Sequence, residues 1–202
     1  FLADDHAGRL SVAAAALGFS CPPRSALRDA LAAHTATLTG PSRLRLLLRQ
    51  DGCVRVEDTP LPPPTAEPLL DLRAALKAAG EPRLVVVDSV PQAREDVRLR
   101  FKSTDRAPYD EARARVGAGA GDVFDVLLFN QQREATECAI ANVALETAEG
   151  AWVTPPLECG LLNGVLREVL LRSGQLEERV LRLADLEEAA AASRRVVAFN
   201  SV

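Results

Sequence analysis

The sequence predicts an α+β protein in two parts: a small mixed α/β domain over residues 1–92, then a larger strand-rich domain over residues 93–202. Three observations predict it. Helical spacing opens the chain and gives way to a strand–turn–strand pattern before residue 60. A polar stretch with a proline, residues 89–97, follows a short apolar strand and marks the boundary. Beyond it, apolar runs recur between turn signals: VFDVLLFN, AIANVALE, AWVTP and RRVVAFN.

Each element has its own reason. Residues 5–18 put Leu10, Ala13, Ala14 and Leu17 on one helical face, and Gly18 is the stop. Pro22 and Pro23 begin a second helix over 23–38. RLRLLLRQ and CVRVED flank an Asp-Gly turn, the signature of a hairpin. PLPPP, residues 60–64, is a stiff connector. Residues 67–79 are expected to be helical, and RLVVVD, 83–88, a buried strand. The second part then opens with a short strand ending at Lys102 and a helix over 108–116. GAGAGD, 117–122, lacks the Gly-Lys-Ser/Thr ending of a phosphate loop and reads as a surface loop. Helices start near Asn163 and Ala184. No repeat of fixed period is present.

Composition bounds the class. A hydrophobic content of 48% with 26% charged residues belongs to a folded protein, and with aromatics at 4% its core must be Leu, Val and Ala. A net charge of -4 and a pI near 5.3 oppose a general nucleic-acid binder. No apolar run approaches the roughly 20 residues that cross a bilayer, so no membrane partner is expected. Cys21, Cys53, Cys138 and Cys159 have no CxxC spacing, and His6 and His34 form no ligand cluster with them. Neither a metal site nor a disulfide framework is expected. Free thiols fit a reducing compartment, and a cytoplasmic location follows as the expectation. The chain begins at Phe1 and holds no methionine, so it is expected to be part of a longer chain, with an upstream targeting segment left open.

Three segments carry chemistry. The two lysines of the chain are Lys77 and Lys102; its other basic residues, apart from histidine, are arginines. A guanidinium stays protonated, whereas a lysine amine can lose its proton and act as nucleophile and base. Lys102 sits among arginines in RLRFKSTDR. Alone, it also reads as one exposed charge. Glu137 stands in the apolar stretch ATECAIANVALE, where a carboxylate is costly to bury unless paired. In TPPLECGLLNGVLREVL, Asn163-Gly164 opens a helix whose first N–H groups can cradle a phosphate.

KSTDR, TECAIAN and LLNGVLRE, in this order, resemble the class IV aminotransferases, the fold-type IV pyridoxal-phosphate enzymes (D-amino-acid aminotransferase-like). The early HAGRL and the final AFNSV extend the resemblance over nearly the whole chain. TEC followed by AxAN, with NG before the last long helix, is most similar to the family's 4-amino-4-deoxychorismate lyases. The resemblance implies pyridoxal 5'-phosphate as cofactor, a small-molecule substrate and a homodimer. It makes Lys102 the Schiff-base lysine and proton-transfer base. Glu137 becomes the carboxylate beside the pyridine nitrogen. The phosphate would be held by Arg9, by the backbone amides of Val165 and Leu166, and by Ser201. Tyr109 would donate to the ring oxygen, although its spacing from Lys102 departs from the branched-chain enzymes. Arg106 would either bind a substrate carboxylate or brace the loop, with bracing the preferred role. The family's opening strand before Phe1 and the segment after Val202 are missing from the sequence.

Two reactions fit the same residues. A lyase would release pyruvate and form 4-aminobenzoate, a folate precursor, without an amino acceptor. A transaminase acting on branched-chain or D-amino acids or amines would use the same lysine and carboxylate but return the proton to the cofactor.

Overall fold

The computed structural model describes residues 2–62, 71–78 and 80–201. The chain packs as two compact units, one reaching to Pro68 and one over Leu69–Ser201.

In the first unit, helix α1 (Ala3–Leu17) turns Ala7, Ala13 and Ala14 inward. It stops where Gly18 takes a φ of 69° and donates its N–H to Ala14 and Ala15. Helix α2 (Arg24–Thr35) follows Pro23 and buries Leu27 completely. Strands β1 (Ser42–Leu48) and β2 (Val54–Pro60) form the antiparallel hairpin read from the sequence. Its turn needs the Asp-Gly pair. Gly52 adopts a φ of 89°, and the Asp51 carboxylate accepts the Cys53 N–H at 3.0 Å. Residues 63–64 of the proline connector lie outside the described residues, as do 67–70 and 79 of the helix expected after it.

The second unit begins with α3 (Leu72–Ala78), whose Leu72 is buried, and β3 (Leu84–Val87). Helices α4 (Val97–Arg100) and α5 (Ala107–Val116) come next. Then follow β4 (Val123–Phe129), β5 (Ala135–Cys138), β6 (Asn142–Glu146), β7 (Trp152–Thr154), a 3-10 turn over Leu157–Cys159, and α6 (Val165–Arg172). A short β8 (Glu177–Glu178), α7 (Leu183–Ala191) and β9 (Val196–Phe199) complete it. The strands make two sheets, ordered β3-β4-β5 and β8-β7-β6-β9. One apolar cluster joins Leu127, Phe129, Val143, Val153 and Leu181. A second packs Leu99, Tyr109 and Ala112 against Val126 and Leu128 of β4.

Three sequence expectations change. The units divide after Pro68, earlier than the 92/93 boundary, because β3 pairs in parallel with β4. The polar stretch after it is tied down as well, with the Asp88 and Gln92 N–H groups donating to Leu127 and Phe129. Strand β3 is a sheet edge and not fully buried: Leu84 is 53% and Val87 43% exposed. The strand expected up to Lys102 is instead α4. Asp96 starts that helix by accepting the Arg98 N–H at 2.9 Å, a local bond that outcompetes strand formation.

Candidate active site

The NQQRE turn aims β5. The Asn130 side-chain oxygen accepts the N–H groups of Gln132 and Glu134, and Arg133 takes a left-handed φ of 60°. All residues of β5 are buried. Glu137 is therefore carried into the interior, at 4% exposure. Its carboxylate is met by three donors. The Tyr109 hydroxyl donates to Oε1 at 2.8 Å, the Leu162 N–H to Oε1 at 2.9 Å, and Asn142 Nδ2 to Oε2 at 3.3 Å. Burial pushes the carboxyl up to about 7, against the pull of the Leu162 amide, the Tyr109 hydroxyl, Lys102 and Arg106.

Lys102 lies in the exposed segment between α4 and α5, and its charge acts on Glu137. Both ends of that segment are anchored. Leu99 of α4 is 1% exposed, and Tyr109 of α5 is buried beside it. Arg106 donates to the Ala139 carbonyl at 2.9 Å and lies over the Tyr109 ring at 4.8 Å, which ties this segment to the β5–β6 turn. Tyr109, expected to face a cofactor oxygen, donates a hydrogen bond to Glu137.

The start of α6 adjoins the carboxylate. Asn142 Nδ2 also donates to the Leu162 carbonyl at 3.0 Å. A Cβ on Gly164 would collide with Asn142 Oδ1, so a larger residue there would have to displace the Asn142 side chain. With Gly164 at its N-cap, α6 has no side-chain cap. The N–H groups of Val165 and Leu166 thus open the helix, where its dipole favours an anion. Arg167, which the sequence reading passed over, is 1% exposed and donates to the Pro155 carbonyl at 2.8 Å and to Asn163 at 3.2 Å. It fixes the helix start from beneath; its i+4 spacing from Asn163 was a usable signal. Strand β9 sets Phe199 opposite Asn142, and Asn200 Nδ2 donates to the Ile140 carbonyl at 2.9 Å. Ser201, half-buried, follows directly. The second unit thus joins Tyr109, Glu137, Asn142 and the approach to α6 through hydrogen bonds, with Asn200 tied to the β5–β6 turn just before Ser201, while Lys102 lies in the exposed segment before α5. Arg9 belongs to α1 of the first unit, half-buried, with Nη2 3.5 Å from His6 Nδ1.

This set fits a flat heterocycle bearing a phosphate and an aldehyde. A buried carboxylate suits a ring nitrogen, an uncapped helix start suits the phosphate, and an amine suits the aldehyde. Among the described residues no cluster of His, Cys, Asp and Glu could hold a metal ion, and no helix is long and apolar enough to cross a membrane.

Residues 1–193 match the family described as amino-transferase class IV. The chain belongs to the class IV aminotransferases. These are pyridoxal-phosphate-dependent enzymes of aminotransferase or lyase activity, and the α/β architecture is that of fold type IV. A Schizosaccharomyces pombe protein provisionally named an aminodeoxychorismate lyase is 33% identical over 179 residues, covering 88% of this chain and 71% of its own. The Saccharomyces cerevisiae aminodeoxychorismate lyase is 26% identical over 191 residues, covering 79% of this chain and 49% of its own. The chain thus spans about half the length of that second relative. Among solved structures, a provisionally assigned amino-acid aminotransferase from Mesorhizobium loti superposes with a TM-score of 0.77 at 30% identity, over 98% of this chain and 86% of that one. The 4-amino-4-deoxychorismate lyase of Pseudomonas aeruginosa shares the fold at a TM-score of 0.69 and 21% identity, over 98% of this chain and 73% of that one.

Proposed function

We propose that this class IV enzyme is a pyridoxal-phosphate-dependent 4-amino-4-deoxychorismate lyase. The observation that carries the chemistry is Glu137, a buried carboxylate bound by three donors beside the charge of Lys102 and the open start of α6. The lyase names of the S. pombe and S. cerevisiae relatives direct that chemistry to this substrate.

Pyridoxal phosphate, when bound, supplies an aldehyde for the substrate amine and a ring that withdraws electrons from the amine-bearing carbon. Lys102 would hold the group through its aldehyde and, as a free amine, would take the proton from that carbon. Glu137 would keep the ring nitrogen protonated. The Val165 and Leu166 amides and the Ser201 hydroxyl would hold the phosphate. As the proton leaves the substrate, the bond between the ring carbon and the ether oxygen breaks, enolpyruvate departs with that oxygen, and the six-membered ring becomes aromatic. The departing enolpyruvyl group takes up a proton to give pyruvate, so atoms balance with no acceptor. A homodimer belongs to the same reading, supported by the exposed apolar edge of β3.

The M. loti structure favours a second reading, transamination of an amino acid. One assay separates the two. Full-length protein is incubated with pyridoxal phosphate and aminodeoxychorismate but no keto acid. The lyase forms 4-aminobenzoate and pyruvate in equal amounts over many turnovers. Cofactor-loaded protein that forms neither, and turns over amines only when a keto acid is added, overturns the lyase.

A further inference from the structure

We infer that Tyr109 is a positioning residue for Glu137: with the Leu162 amide, its hydroxyl occupies Oε1 and leaves Oε2 as the oxygen presented to the cofactor ring. The inference rests on the reading of Glu137 as the partner of the ring nitrogen.

The two carboxylate oxygens are unequally loaded. Oε1 accepts two short bonds, at 2.8 Å from Tyr109 and 2.9 Å from Leu162. A carboxylate oxygen offers about two lone-pair sites, so Oε1 is filled. Among the described residues, Oε2 has its hydrogen bond from Asn142 at a longer 3.3 Å, and Asn142 Nδ2 has a closer acceptor in the Leu162 carbonyl at 3.0 Å. Oε2 therefore keeps room for a further donor.

Tyr109 does more than satisfy a buried phenol. Its second acceptor, the Leu99 carbonyl, lies farther away at 3.4 Å, so the proton goes to the carboxylate. Burial and the neighbouring Glu137 charge push the phenol's ionisation up, which makes the hydroxyl a permanent donor. A fixed donor on a buried carboxylate favours its charged form. Tyr109 also joins two parts of the site, since α5 ends the segment that carries Lys102 and β5 carries Glu137. The groups acting on Glu137 are Tyr109 of α5, Lys102 and Arg106 before it, the Leu162 amide before α6, and Asn142 of β6. Its neighbour Cys138 stays neutral, its thiol pushed up by burial.

The test follows the carboxyl itself. In cofactor-free full-length protein, infrared difference spectra against pH resolve the carboxyl band that Glu137→Gln abolishes. Tyr109→Phe keeps the ring in the core and removes the donor. It is expected to move the titration of that band up by about one pH unit, the effect of losing one hydrogen bond to a charged group. Fluorotyrosine at position 109, a more acidic donor, is expected to move it down. With pyridoxal phosphate bound, Tyr109→Phe lowers kcat at least tenfold near neutral pH with little change in KM, and the activity it keeps rises at higher pH. A band that titrates alike in all three proteins overturns the inference, whatever the activity. If the band shifts as expected while Glu137→Gln turns over normally, the role of Glu137 in the proposed function is wrong and the inference falls with it.

Discussion

Glu137 was placed by chemistry before it was placed by geometry. A carboxylate in an apolar strand needs partners, and the structure supplies Tyr109, Leu162 and Asn142. The identity of those partners was not legible. Tyr109 lies 28 residues away and Leu162 25, and no local pattern joins such distant positions. The isolated lysine pointed to Lys102, but the segment that carries it follows α4, where the apolar run predicts a strand. The buried carboxyl has a consequence for stability. Its folded pKa of about 7 lies above the ordinary 4.5. Between those values the folded protein holds a proton that the unfolded chain has shed. This contribution is complete below the lower value and is lost as pH rises through the upper one. The loss is on the order of 3 kcal/mol. Asp96, lowered by its hydrogen bond to Arg98, acts only in more acidic solution, below 3.8. Denaturant unfolding of cofactor-free protein should show stability falling across this window, and Glu137→Gln should flatten the fall. Parallel pH profiles for the two proteins would show that the carboxyl titrates normally.

At the scale of elements, the hairpin and the helix stop at Gly18 were legible because turn residues act locally: Asp51, Gly52 and Gly18 each fix their own backbone. The start of α6 was legible as a helix N-terminus, but the need for glycine there was not. It comes from Asn142, which approaches from another strand. Gly164→Ala would put a methyl group on Asn142 Oδ1 and force it away from Glu137 and Leu162. The expected cost is about 1–3 kcal/mol in denaturant unfolding. Pyridoxal phosphate affinity should fall by at least tenfold, because the helix start and the carboxylate shift together. Unchanged affinity and unchanged stability would mean that Asn142 yields freely and does not couple the two.

Across the whole molecule, the two-part α+β plan was legible, while the division between its parts was not. A proline and a run of polar residues suggested a linker at 89–97. Yet the Asp88 carboxylate is gripped by Arg115 through bonds of 2.9 and 2.6 Å, and the same stretch follows β4. Such pairing between strand and helix is non-local, and composition does not reveal it. The same non-local packing assembles the candidate site, since β5, β6, α6 and β9 each bring one part of it to the β5–β6 turn. The most direct measurement uses the scarcity of lysine in this chain. The protein is loaded with pyridoxal phosphate and treated with borohydride, which fixes the cofactor to the amine that carries it, and its peptides are weighed. The label is expected on the peptide holding Lys102 and should vanish in Lys102→Arg. Label on Lys77, or its persistence in that variant, would contradict the assignment of this site.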